Sequence, residues 1–206
     1  VLPATGFCGS SATISGSSTI SVADASLASG ASCSFTVSVL VPANAAAGSY
    51  TNTTSTINLT LGSATTKTAI SNTLNIKKAP TITALFIDDP VVAGSDVTLR
   101  YTITNTDTAN AVSAITFKSN IDETLPGTVI KTLPTSNSCG SGSSFVSSLD
   151  SNYKFFQVTN ANLAAGANCS FDVILTVPQS SLPNSYAFTT TSASSTVSGA
   201  TLYSNP

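Results

Sequence analysis

The segment LASGASCSF at 27–35 returns as LAAGANCSF at 163–171, with seven of nine positions identical and an offset of 136 residues (169 − 33). Whatever one copy folds into must therefore be built twice, which is the mark of modular arrays. The same offset carries Val41 and Pro42 onto Val177 and Pro178, and Ser49 and Tyr50 onto Ser185 and Tyr186. Upstream, LPATGFCGS at 2–10 matches LPTSNSCGS at 133–141 with an offset of 131 (139 − 8). The second copy thus carries about five additional residues between its cysteines, in a loop or a longer hairpin.

The copies are unequally complete. Residue 1 aligns with Thr132, so residues 79–131, room for three or four strands, have no counterpart ahead of Val1. Pro206 aligns with Ile70, about a strand's length before the first copy reaches its junction. That junction is expected between Ile76 and Ile82, which makes residues 1–78 the second half of one module and 79–206 a nearly complete one. Lys77 and Lys78 mark it, and an exposed basic linker there is expected to be the first site opened by limited proteolysis. With no Met in 206 residues, Val1 is not an initiator, and a processed or cropped chain is expected.

Charged residues make up 8% of the chain, against roughly 25% in ordinary soluble domains, while hydrophobic residues reach 41%. A net charge of −2 gives no basic footprint for a phosphate backbone, and no apolar run of about 18 residues could span a bilayer. Neither nucleic acid nor membrane insertion is expected.

Four cysteines in two equivalent pairs, with no histidine to share a metal, read as disulfides and an oxidising compartment. Four cysteines allow three connectivities, and the repeat selects Cys8 with Cys33 and Cys139 with Cys169, because each module must staple itself. Four buried thiols in a reducing compartment are the alternative. After the second cysteine of each copy, Cys33, Phe35, Val37, Val39 and Val41 alternate with polar or outward residues, as do Cys169, Phe171, Val173, Leu175 and Val177. Period two predicts a half-buried strand in both places, with the disulfide at the core. Val97, Leu99, Tyr101 and Ile103 predict another strand, Ile115 with Phe117 a further one, and Ile57, Leu59 and Leu61 a late one. No helical stretch of ten or more residues is expected.

The order LP…CG, then L-A-x-G-A-x-C-S-F-x-V, then V-P and S-Y, resembles the conserved Ig-like repeat domain of bacterial cell-surface and secreted proteins, a family of unknown function. Pro90, Val91, Val92, Ala93, Gly94 and Ser95 stand where such repeats lead into their first long strand. The second copy departs at 187–191, AFTTT against TNTTS at 51–55. The resemblance implies an extracellular, repetitive, architectural protein and assigns no reaction. The expected fold is all-β: tandem antiparallel Ig-like β-sandwich modules with one disulfide per module, the first module incomplete.

Without histidine, no Ser-His-Asp or Cys-His apparatus can be assembled, and histidine-based metal sites are excluded. Glu123 is the only Glu. Asp88 and Asp89 with Asp107 or Glu123 at one pole would be the candidate for a calcium site, against turn-capping aspartates as the simpler reading. No metal, cofactor or catalytic residue is expected, and the chain is read as no enzyme. Lys118 or Lys131 could form a Lys–Asn-type isopeptide staple, against ordinary surface lysines. Asn52, Asn58 and Asn168 match the glycosylation acceptor pattern.

The leading functional reading is a structural protein, part of an extracellular stalk or a polymeric surface filament. Self-association head to tail, or contact with neighbouring repeats of the same chain, supplies what residues 1–77 lack. The alternative is an adhesin-type module binding carbohydrate or protein through loops at one pole, with Tyr153, Phe155 and Phe156 as the local aromatic cluster, for which core packing in a strand between the cysteines is the simpler reading.

Overall fold

The structure, a computed structural model, describes residues 2–3, 6–61, 63–150 and 153–204. The chain falls into two compact units, Val1–Ala45 and Ala46–Pro206. Every regular element among the described residues is a β-strand, and all the strand ladders are antiparallel.

In the first unit, β1 (Thr13–Ser15) pairs with β2 (Ser21–Ala23) in the register Thr13↔Ala23. A disulfide joins Cys8 to Cys33 across a Cα separation of 5.6 Å. Residues 33–41, for which period-two alternation predicts a strand, form none. Several of their apolar side chains stand in solvent, Leu40 at 92% and Val39 at 75% exposure, while Val37 is half-buried and Phe35 lies 4.8 Å from the ring of Phe7.

The second unit begins with a long two-stranded ribbon. β3 (Gly48–Thr53) and β4 (Ile57–Leu61) run out, and β5 (Ser63–Lys67) and β6 (Ser71–Ile76) return. Gly48↔Ile76 and Ile57↔Lys67 belong to one register, so β3–β6 and β4–β5 are two stretches of a single hairpin.

The sandwich follows: β7 (Thr81–Phe86), β8 (Asp96–Thr104), β9 (Val112–Asn120), β10 (Val129–Thr132), β11 (Ser144–Asp150), β12 (Tyr153–Leu163), β13 (Asn168–Thr176), β14 (Ser194–Val197) and β15 (Ala200–Tyr203). They form a four-stranded sheet in the order β10-β13-β8-β7 and a five-stranded sheet in the order β11-β12-β9-β14-β15. Alternation aims Val97, Leu99, Tyr101 and Ile103 of β8 and Phe171, Val173 and Leu175 of β13 at the other sheet. There they meet Phe117, Phe156 and Val158 in one core. Four aromatic rings interlock at its centre, with Tyr101 4.9 Å from Phe156 and 5.6 Å from Phe171, and Phe117 edge-on to Phe156. Cys139 is buried beside them and bonded to Cys169, again with 5.6 Å between Cα atoms.

Comparing the two copies shows what makes a strand form. β13 is hydrogen-bonded to β8 along all nine residues and to β10 on its other side. Both neighbours lie in residues 79–132. A strand cannot satisfy its backbone groups alone, so residues 33–41, with an equivalent sequence and no equivalent neighbours, stay irregular. The hairpin whose partners are both local does form twice: β11–β12 pairs Ser144↔Thr159, the repeat equivalent of Thr13↔Ala23. The additional residues of the second copy lengthen this hairpin, from three-residue strands to strands of seven and eleven.

Candidate functional site

Several short hydrogen bonds recur at equivalent positions in both copies. Ser26 N–H donates to Cys8 O at 2.8 Å and Asn162 N–H to Cys139 O at 2.8 Å. The glycine after each first cysteine has positive φ, 104° for Gly9 and 93° for Gly140, and a Cβ there would strike Ser26 or the carbonyl of Asn162. Only glycine fits that corner. The L-A-x-G-A turns close through Ala31 N–H to Ala28 O and Ala167 N–H to Ala164 O, and the Pro turns through Ala45 N–H to Pro42 O and Ser181 N–H to Pro178 O. Tyr50 donates its hydroxyl to Ala46 O at 3.0 Å and Tyr186 to Leu182 O at 2.9 Å, a tyrosine-corner bond in each copy. The shared Ser-Tyr pair was the sequence signal for this corner, although a pair of residues alone does not reveal a bond four residues upstream.

At the pole where β7 begins, the junction is clamped rather than loose. Lys77 Nζ donates to Val197 O and Ser198 O, both at 3.0 Å. Thr106 Oγ1 holds Ala79 O at 2.9 Å, and Pro80 is buried. Asp107, fully buried, accepts from Ala109 N–H and Asn110 N–H at 2.9 Å and reaches Lys78 N–H at 3.5 Å. Burial alone would raise the Asp107 pKa, but these donors outweigh it and hold the carboxyl below its ordinary value. A depressed folded pKa means that the contribution is present above the ordinary carboxylate value and lost as pH falls through the folded one. The basic pair is therefore held by these bonds rather than free. Asp107→Ala is expected to release it, speeding tryptic cleavage after Lys77 or Lys78 by roughly tenfold, the effect of about 1.4 kcal/mol of lost local bonding. Equal cleavage of both proteins, followed by mass spectrometry, would show that the clamp has no such role.

The opposite pole holds an apolar cavity of about 430 Å³ between the ends of the two sheets, lined by Phe86, Val92, Leu125, Leu182, Tyr186 and Phe188 among others. Ser181 also lines it, and its Oγ is buried with no hydrogen-bond partner.

The carboxylates do not converge. Asp88 follows β7 at the cavity pole and accepts from Thr98 N–H at 2.9 Å, whereas Asp107 sits at the junction pole. Asp122 accepts from Lys154 N–H, and Glu123 from Asn120 Nδ2 at 2.8 Å. Among the described residues no group of three or more His, Cys, Asp or Glu could hold a metal ion. Lys131 pairs with Asp96 on the exposed surface, and Lys118 Nζ lies 4.3 Å above the Phe155 ring. Phe155 and Phe156 are buried, so neither offers a face to a sugar; the Tyr153 side chain lies outside the described residues.

The fold is an all-β one in which a sandwich-like arrangement and a segment of related sequence ahead of it each carry a disulfide. The chain belongs to the family described as Domain of unknown function (DUF7933), whose model matches residues 3–76 and 80–203. No curated protein matches the chain. Among solved structures it is similar to the solution structure of the chitin-binding domain of Chi18aC from Streptomyces coelicolor, at 18% identity over 53% of this chain and 90% of that one. The TM-score is 0.31, too low for that likeness to bear on fold or function.

Proposed function

We propose that the chain is a structural element of an extracellular stalk or surface filament, built from modules in series and carrying no catalytic centre. The observation behind this reading is the twice-built frame: the same disulfide, glycine corner, two turns and tyrosine corner, each closed by local bonds. Such a frame fixes the turns and corners of each copy through local bonds, as a repeating architectural unit requires. Two disulfides suit an oxidising, extracellular location, and the repeat supports a module boundary at 78/79. The adhesin alternative loses the aromatic surface on which it relied, because Phe155 and Phe156 are internal.

Fractionation of the native source tests the reading. The chain is expected in surface-exposed, elongated assemblies, with all four cysteines resistant to alkylation until reduced. Recovery as a cytosolic monomer with free thiols would overturn it.

A further inference from the structure

By its sequence the ribbon belongs to the first copy, yet it forms one compact unit, Ala46–Pro206, with the sandwich of the second. The linker shows why. Residues 77–80 alone separate Ile76, still laddered to Gly48, from Thr81, already laddered to Thr104. Each of them is held: Lys77 through its ammonium, Lys78 through its N–H, Ala79 through its carbonyl, and Pro80 by burial and a fixed φ. The pole that receives them is braced by bonds of its own. Asn105, fully buried just past β8, donates through Nδ2 to Asn110 O at 2.8 Å and Ala164 O at 2.9 Å, and accepts from Asp107 N–H at 3.1 Å. Ser198 Oγ donates to Asn110 Oδ1 at 2.9 Å, which ties the loop between β8 and β9 to the β14–β15 turn. That turn has positive φ at both central residues, 45° at Ser198 and 79° at Gly199, as two-residue hairpins favour. Its carbonyls are the ones that take Lys77.

We infer that this pole, the 105–110 loop with the 197–199 turn, is the surface on which the end of a preceding copy seats, and that it locks the orientation of one copy on the next. The occupant is present in the structure: it is the base of the ribbon, arriving through a linker with no untied residue. Successive copies then form a rod rather than beads on a string. This deepens the stalk reading and rests on it. The lock is polar. No described ribbon residue enters the sandwich core, and Gly48, Ser49, Asn75 and Ile76 line, with Ala109, Asn110 and Ser198, a polar cleft of about 440 Å³ between the ribbon's base and the pole. The angle is therefore set by the bonds of Lys77, Lys78 and Ala79 and not by a shared apolar interior. The ribbon is also a long lever, since Gly48 to Leu61 reaches roughly 45 Å at about 3.3 Å per residue. Slack at its base would be amplified at its tip.

Residual dipolar couplings of the whole chain provide the test. In the wild-type protein the amides of β3 and β6 are expected to share the alignment tensor of the sandwich, as one rigid body. In the double substitution Lys77→Met, Asp107→Asn they should still fit one tensor among themselves, but one weakened by about twofold or more, because the ribbon swings as an intact hairpin. Lys77→Met alone leaves the 105–110 loop untouched and should shift the ribbon in the same direction, so the test stands even where the change at Asp107 disturbs folding. A wild-type ribbon with its own weaker tensor, or substituted ribbons that keep the sandwich's tensor, overturns the lock. Either result leaves the stalk reading standing, because copies on free hinges also build a stalk. Recovery of the native chain as a cytosolic monomer with free thiols overturns that reading, whatever the tensors show.

Discussion

Joining residues 79–131 directly ahead of Val1 is expected to convert residues 33–41 from exposed chain into a protected strand, slowing their amide exchange by roughly three to four orders of magnitude. The reason is register. In the second copy Cys169 lies opposite Ile103, Phe171 opposite Tyr101, Val173 opposite Leu99 and Leu175 opposite Val97. With the 136-residue offset, Cys33, Phe35, Val37 and Val39 meet the same four residues, apolar face to apolar face. A closed module with the usual minimum stability of about 5 kcal/mol protects its central amides by that factor. Exchange that remains fast in the fused protein, measured by mass spectrometry at peptide resolution, would mean that the first copy has lost the capacity to complete a sandwich.

The second large effect is expected at the core. Phe156→Ala should destabilise the sandwich by about 3–5 kcal/mol, lowering its melting temperature by on the order of 10 °C. Phe156 is fully buried and touches the rings of Tyr101, Phe117 and Phe171, which come from both sheets. Removing it leaves a void that none of the three can fill, since Tyr101 is also fixed by its 2.7 Å bond to Ser119. A loss below about 1 kcal/mol in urea unfolding would show that the core collapses around the gap.

What could be read from the residues divides along the reach of the interactions. Turns and corners closed within four residues, such as Ala28 to Ala31 and Pro42 to Ala45, recur wherever their sequence recurs. Strands of the second copy followed the alternation of Val97, Leu99, Tyr101 and Ile103 because β7 and β13 were both present to receive β8. Residues 33–41 carry as clear an alternation and fail to form, since period two states which face a strand would bury and says nothing of whether a neighbour exists. The clamp on the basic pair was hidden for a related reason. Lys77 and Lys78 look like a solvated pair in the sequence, and their anchors, Val197, Ser198 and Asp107, lie up to 121 residues away. The cavity pole was invisible for the same cause, as its walls come from loops and strand ends far apart in the sequence, such as Phe86, Leu125 and Tyr186.

The placement of the disulfides governs how such a chain behaves under tension. Cys8 and Cys33 enclose 25 residues of sequence separation, and Cys139 and Cys169 enclose 30. Load entering at one end of the polypeptide passes across each sulfur bridge and bypasses the enclosed segment, including the β11–β12 hairpin. At up to roughly 3.5 Å per residue, the larger loop withholds on the order of 100 Å of extension. An oxidised chain is therefore shorter at full stretch and stiffer in its length than the same chain reduced, so the redox state of its surroundings sets its reach.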